Sequence, residues 1–524
     1  MGSGTLTLTC TGHFLLNATM TVIGNGSQLL VLNAGVSDKN FNNFGKNVIG
    51  TGNLTIGAGN VFNDFRYDAS FSGGGNRTIQ LVGDITINGT LVLNHPNALN
   101  NGTRFASTTV GTQRTVTLGP SSVISTLHYI MFEDIVFTGT SAPISGNKLG
   151  NIGNNSGITF DAPVTYYWIG GAGLYNNTAR WSLTSGGASA GTYPLVHDEA
   201  IFDANSFTSA GQAVTLSNNF TCALNFTDAA PIPNITLSNP NGAGNLFCGS
   251  VILKNGMTVS GTASAWNFRG RRAITLSQNG ATISNISSLT VSTFGNTVTL
   301  GSHLFLTGSL NTSSGSFDAS GYNVTTAAFT STSATTRSLS MGSGTWTLTG
   351  TGTIWNTGTP TNMTFDAGTS KLVISDTSAT SKTIVLGLGS PTYTFHLYDI
   401  EITGGGSGAV IFSNTATRTF RNLTVNGPKT LTFSASATYL FTGNVVFNSS
   451  SGNVITLQSS TTNPFILSKP FGVVSANHLA ITNSTVLGGA SWYAGINSVN
   501  GGGNRGWQFS KQDSSKANFF HVIN

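Results

Sequence analysis

Charge is scarce in this sequence. Only 7 % of its 524 residues are charged, with three glutamates (Glu133, Glu199 and Glu401) and fourteen aspartates, and the net charge is +5. A typical globular chain carries about a quarter charged residues. The only dense basic stretch is Arg269, Arg271 and Arg272 in WNFRGRR. No second basic stripe supports it, so it reads as a solvated turn and nucleic acid is not an implied partner. Cysteine is nearly missing: Cys10, Cys222 and Cys248 stand at unrelated spacings. An odd count without a CxxC pair argues against a zinc site and against a disulfide framework, leaving buried free thiols. No apolar run reaches 18 residues, so no membrane-spanning helix is expected. The first residues lack a basic region followed by an apolar one, the mark of a signal peptide. Sustained apolar spacing of the helical kind is also missing, and very little helix is expected.

What remains is glycine (66 residues), hydroxyl and amide side chains, and apolar residues making up 39 % of the chain, 32 of them Phe. Strand-like runs recur about every 8–12 residues: TLTLTC, LLVLNA, NLTIGA, TIQLVG, ITINGT, LVLNH. Apolar residues alternate with polar ones, which sends one set of side chains inward and the other outward. Each run then breaks at Gly, Asn or Asp, the residues that accept the positive φ of a sharp corner. The pattern predicts an all-β protein.

A longer repeat lies above this one. MGSGTLTLTC at residues 1–10 returns as MGSGTWTLTG at 341–350. LHYIMFEDIVFTGTSAPISGNKLGNIGNNSGITF (127–160) matches the length and pattern of NHLAITNSTVLGGASWYAGINSVNGGGNRGWQF (477–509), with His128 facing His478 and Phe160 facing Phe509. Residue 1 therefore reads as a position inside a repeat. The chain divides into a repeat block at 1–160, a middle block at 161–340 with a Trp/Tyr-rich start, a second repeat block at 341–510, and a C-terminal linker and strand at 511–524. Units that bury their faces only against their neighbours build a solenoid. A parallel β-helix of roughly twenty-odd residues per coil would give about two dozen coils. A string of antiparallel β-sandwiches would show the same strand spacing, and segment 166–207 differs enough to form a sandwich-like interruption.

The phrases DIVFTGTSAPISGNKLGNIGNNSGITFDAPVTYYWIGG (134–171), WSLTSGG…HDEAIFDANSF (181–207) and MGSGTWTLTGTGTIWNTG (341–358) resemble repeats in large β-rich proteins of tailed bacteriophages and environmental bacteria. GGASWYAGINSVNGGGNRGWQF (488–509) looks like the terminal segment of such repeats. The resemblance implies a tail-fibre or adhesin-like extracellular role, on a virion tail or a cell surface, and carries no catalytic residues.

Phage β-helices that cleave polysaccharide need paired carboxylates about 5–10 Å apart. The nearest pairs are Glu133/Asp134, Asp198/Glu199 with Asp203 beside His197, and Asp399/Glu401, where positions i and i+2 share a strand face. Asp399 and Glu401 read as an outward polar pair, and Asp203 as a turn residue. Gly187–Gly191 matches GxSxG by composition alone, without the helix that a nucleophile elbow requires. Tandem GGxGxD calcium repeats are missing, so no metal and no cofactor are expected. The N-x-S/T sites at Asn17, Asn53, Asn88 and Asn234 are what this composition yields by chance.

Aromatic residues are the remaining candidates. Tyr166, Tyr167, Trp168, Tyr175 and Trp181 cluster in one segment, Trp492 and Tyr493 in another. Exposed rings stack on sugars, so the first cluster is the candidate ligand site, with packing as the competing role. Phe519, Phe520, Val522 and Ile523 form a short apolar strand suited to capping the last coil or adding to a neighbouring subunit. The partners expected are further copies of the chain in a trimer or filament, other virion or surface proteins, and a host-surface glycan, with no membrane insertion. The sequence thus points to a non-enzymatic structural or receptor-binding protein, with an adhesin or filament subunit next and a polysaccharide-degrading tailspike last.

Overall fold

A computed structural model of the chain is a parallel β-solenoid of about 16 turns, with about 1 % of residues helical. Residues 54–62, 64–68, 77–95, 102–216, 220–237, 244–261, 264–284, 286–387 and 396–510 are described, together with the strand backbones at 6–8, 22–23, 29–32, 36–39, 41–42 and 46–50. The strand assigned from sequence to Phe519, Phe520, Val522 and Ile523 lies outside the described residues. The chain forms two compact units, one of residues 1–286 with 291–298, the other of 287–290 with 299–524.

In the first unit, three parallel ladders carry the chain from its first strand to Gly153. Alternation sorts the side chains as the sequence pattern requires. Leu54, Ile79, Phe105 and Phe132 stack in register across four successive coils, and all four are buried. Such a column is the solenoid's core, because each apolar residue finds its contacts one coil above and one below. These ladders end there, and new ones begin at Thr165–Trp168.

The interruption at 166–207 is smaller than a β-sandwich. Strand Thr165–Trp168 pairs in parallel with Glu199–Ile201, and in antiparallel only with Trp181–Ser182. The intervening loop folds back because its tryptophan has a core position to fill: Trp181 is fully buried. The solenoid resumes at once.

Within the second unit the ladders run through residue 340 without a break, as Val324, Trp346, Leu372, Ile400, Leu423 and Val445 form one buried in-register column. Most coils take twenty-odd residues, as at Leu54/Ile79 (25) and Val324/Trp346 (22), but the step is not uniform. Register partners lie 20 residues apart at Leu304/Val324 and 33 apart at Leu91/Ile124.

The long repeat is real in three dimensions, with the offset of the Phe160/Phe509 pair and the histidine pairing displaced by one residue. Tyr129, not His128, matches His478; both take a positive φ (51° and 52°), as do Asp134 and Asn483 (58° and 53°). In both copies a strand, a left-handed corner residue and a second strand follow one another. The same asparagine clamp closes each. Asn155 Oδ1 accepts the Ile135 N–H (3.0 Å), while its Nδ2 donates to the Phe132 carbonyl (2.9 Å) and Asn151 Oδ1 (2.8 Å). Asn504 does the same with Ser484, Ile481 and Asn500 at 3.0, 2.7 and 2.7 Å.

Candidate functional site

Strand alternation turns Tyr166 and Trp168 inward and leaves Tyr167 half-buried. Trp168, Tyr175 and Trp181 are fully buried. Trp181 meets Trp168 and Tyr175 edge-on, with centroids 5.0 and 5.2 Å apart, and Phe202 at 5.8 Å. The Trp168 indole N–H donates to the Gly171 carbonyl and that of Trp181 to the Tyr175 carbonyl, each at 2.6 Å. The Tyr175 hydroxyl lies 3.0 Å from Cys222 Sγ, and burial pushes both groups well above their usual pKa. These rings are core, satisfied on every side, and offer no face to a sugar. Tyr166 is 6 % exposed, so Tyr167 is the one member of this cluster with free surface. Trp492 and Tyr493 are buried as well, with Trp492 against Trp507 at 5.3 Å.

The arginine stretch is not a solvated turn. Arg269 Nε and Arg271 Nη2 reach Glu133 Oε1 at 2.8 and 2.9 Å, Arg104 Nε reaches Oε2 at 2.7 Å, and Arg271 Nη2 also holds Asp134 at 2.8 Å. Glu133 has no exposed surface. Burial by itself would raise its pKa, but the three guanidiniums overcome that and bring it down to about 2. Arg272 donates instead to carbonyls, at Cys248 (2.8 Å) and His197 (3.2 Å). A carboxylate so enclosed can neither deliver a proton nor touch a substrate. The sequence could not show this, because the partners stand 136 and 138 residues apart.

Glu199 is exposed, but the remaining candidate carboxylates are committed to structural partners. Asp198 accepts the backbone N–H groups of Val164 (2.8 Å) and Leu195 (2.7 Å), and its pKa is raised by burial. His197 Nδ1 accepts the Asn151 N–H at 3.1 Å, and burial lowers its pKa. Asp203 accepts the Asn205 N–H within a turn, at 2.9 Å. Asp399 and Glu401 do face outward together, but Asp399 accepts from Asn422 (2.8 Å) and Glu401 pairs with Lys371 (2.7 Å). Ser189 of the GxSxG match sits in an exposed loop and donates to the Thr178 carbonyl at 3.0 Å. Cys222 and Cys248 are free and buried; Cys10, Asn17 and Asn53 lie outside the described residues. Among the described residues no group of three or more His, Cys, Asp or Glu is placed to hold a metal ion, and no helix is long and apolar enough to cross a membrane.

One feature had no signal in the sequence. On the second unit a cavity of about 320 Å³ opens between successive coils, where Asp366, His396, Tyr398 and Arg421 come together. Arg421 and Tyr398 are stacked by the fold: the Arg421 N–H donates to the Tyr398 carbonyl at 2.7 Å, and its guanidinium lies 4.9 Å from the Tyr398 ring centroid. No sequence spacing marks these four residues as neighbours.

Scans against protein-family models, curated proteins and solved structures found no match.

Proposed function

We propose that the chain is a non-enzymatic, receptor-binding fibre protein that acts outside the cell, as a tail-associated protein of a virion. The observation that carries this reading is the in-register stacking of the solenoid. Within each run of ladders among the described residues, coil hydrogen-bonds to coil in parallel, and the apolar columns are filled coil by coil. Such a body resists bending and proteolysis without needing surface charge, while its corners are free to vary and make contacts. The commitment of Glu133, Asp198, Asp203, Asp399 and Glu401 to structural partners supports a mechanical role over hydrolysis. Self-association into a trimer or filament follows from the same architecture, since a solenoid presents unpaired strand edges where its ladders stop.

Immunogold electron microscopy with an antibody to this chain tests the reading. Label on tail tips or fibres of virus particles is the expected result. Label on cells or free filaments, with bare virions, would transfer the role to a surface adhesin. Release of oligosaccharides from a host capsule by the purified chain would establish an enzyme instead.

A further inference from the structure

The cavity on the second unit combines two kinds of wall. Phe365 and Tyr398 contribute aromatic surface, while Asp366, His396, Arg421 and Thr442 contribute polar groups. Those polar groups hold unspent hydrogen-bonding capacity. Asp366 uses Oδ1 to accept the Gly368 N–H at 2.8 Å, leaving Oδ2 without a partner among the described residues. The Tyr398 hydroxyl and the Arg421 guanidinium make no hydrogen bond among the described residues. His396 Nδ1 accepts the Thr419 N–H at 3.1 Å, which makes Nε2 the protonated nitrogen and a donor. Burial, aided by the Arg418 charge, lowers the His396 pKa and keeps the ring neutral at pH 7.

We propose that this cavity binds a saccharide. The inference rests on the receptor-binding reading and gives it a ligand class. A simple anion would meet the Asp366 carboxylate, and a simple cation would meet Arg421. An apolar ligand would strip water from both without replacing it, at a cost of ~1–3 kcal/mol for each group left unpaired. Vicinal hydroxyls resolve the conflict, because each can donate to Asp366 while accepting from Arg421, His396 or the tyrosine. The C–H face of a pyranose then lies against the aromatic wall. At about 320 Å³ the volume is at the small end of the ~300–1,000 Å³ usual for ligand pockets, which suits one or two sugar rings of a longer chain.

Saturation-transfer difference NMR tests this on the full chain, with the methyl glycosides of glucose, galactose, mannose and N-acetylglucosamine and with sodium glucuronate as probes. Transfer to at least one neutral glycoside is expected. Asp366→Asn and Tyr398→Phe, which preserve shape, should each weaken it about tenfold, the worth of one strong hydrogen bond. Val123→Thr, at an exposed strand position in the other unit, should leave it unchanged. No transfer to any probe, transfer to glucuronate alone, or transfer undiminished in both cavity variants would overturn the proposal. The two readings fail separately: fibre labelling by the antibody without glycoside binding removes the cavity and keeps the fibre. Binding without fibre labelling does the reverse.

Discussion

The coils at 129–160 and 478–509 share a backbone path, a left-handed corner and an asparagine clamp, yet they end in different surroundings. In the first, strand Gly150–Gly153 is largely buried; a Cβ on Gly150 would come within 2.9 Å of Val196, and one on Gly153 within 2.2 Å of Arg271. In the second, Val499–Gly502 is exposed throughout, and a Cβ on Gly502 would meet nothing within 4 Å. Chemistry follows the difference. The covered coil carries Glu133 and Asp134 at its corner, paired with arginines from a later segment. The open coil has Thr482 and Asn483 there instead. A buried face needed charges to fix its neighbour, and an exposed one needed only the clamp.

The largest difference between the two coils is expected from Glu133→Gln. It leaves two buried guanidiniums and the partly buried Arg269 facing a neutral amide, and removing one member of such a network costs ~3–5 kcal/mol. Urea unfolding followed by segment-resolved hydrogen exchange should show the loss in the first unit alone; equal protection in mutant and wild type would reduce the network to decoration. Acid probes the same charge more gently. The Glu133 carboxyl titrates at about 2 in the folded chain against an ordinary 4.5. Above 4.5 its contribution is fully present. As pH falls towards 2 the unfolded chain takes up its proton first, and stability drains away. Protection factors at 129–160 should therefore fall across that window more than at 478–509, where Thr482 and Asn483 do not titrate.

Glycine substitutions sharpen the contrast further. Gly153→Ala adds a clash with Arg271 (~1–3 kcal/mol) to the strain of a positive φ (~1–2 kcal/mol), whereas Gly502→Ala incurs only the strain. Thermal melts that shift equally for both variants would contradict the covered-and-open distinction. The smallest difference belongs to the shared part. Asn155→Ala and Asn504→Ala each remove a clamp with the same partners, so each should cost ~1–3 kcal/mol, alike in both coils. Unequal losses would mean the clamp is not one device used twice.

The solenoid was legible because its rule is local. Alternation at TIQLVG or LTVN fixes which side chain turns inward without any knowledge of the neighbouring coil. The repeat was legible to within a residue, and the error has a physical source. A histidine occurs at both 128 and 478 and invites alignment, but the φ values and the clamp fix the match at Tyr129. Burial of the 166–181 aromatics was not legible, since a ring that packs and a ring that stacks on sugar look the same in sequence. The Glu133 network and the cavity at Tyr398 were invisible for a different reason. Both depend on which coil lies over which, and coil steps that range from 17 residues at Leu29/Lys46 to 41 at Gly173/Val214 erase any fixed spacing.

That variation in step has a further consequence. The ladders keep pairing whether a corner is short or long, with a one-residue slip at Leu91/Val92 where the step is 33, so corner length is a parameter that evolution or an engineer can change with little effect on the core. Each doubling of a flexible corner costs only ~0.6 kcal/mol in closure entropy. An epitope or a catalytic loop grafted into the longer corners would ride on a scaffold that does not register its presence, and a population of such chains can diversify its outward contacts while every inward column stays the same.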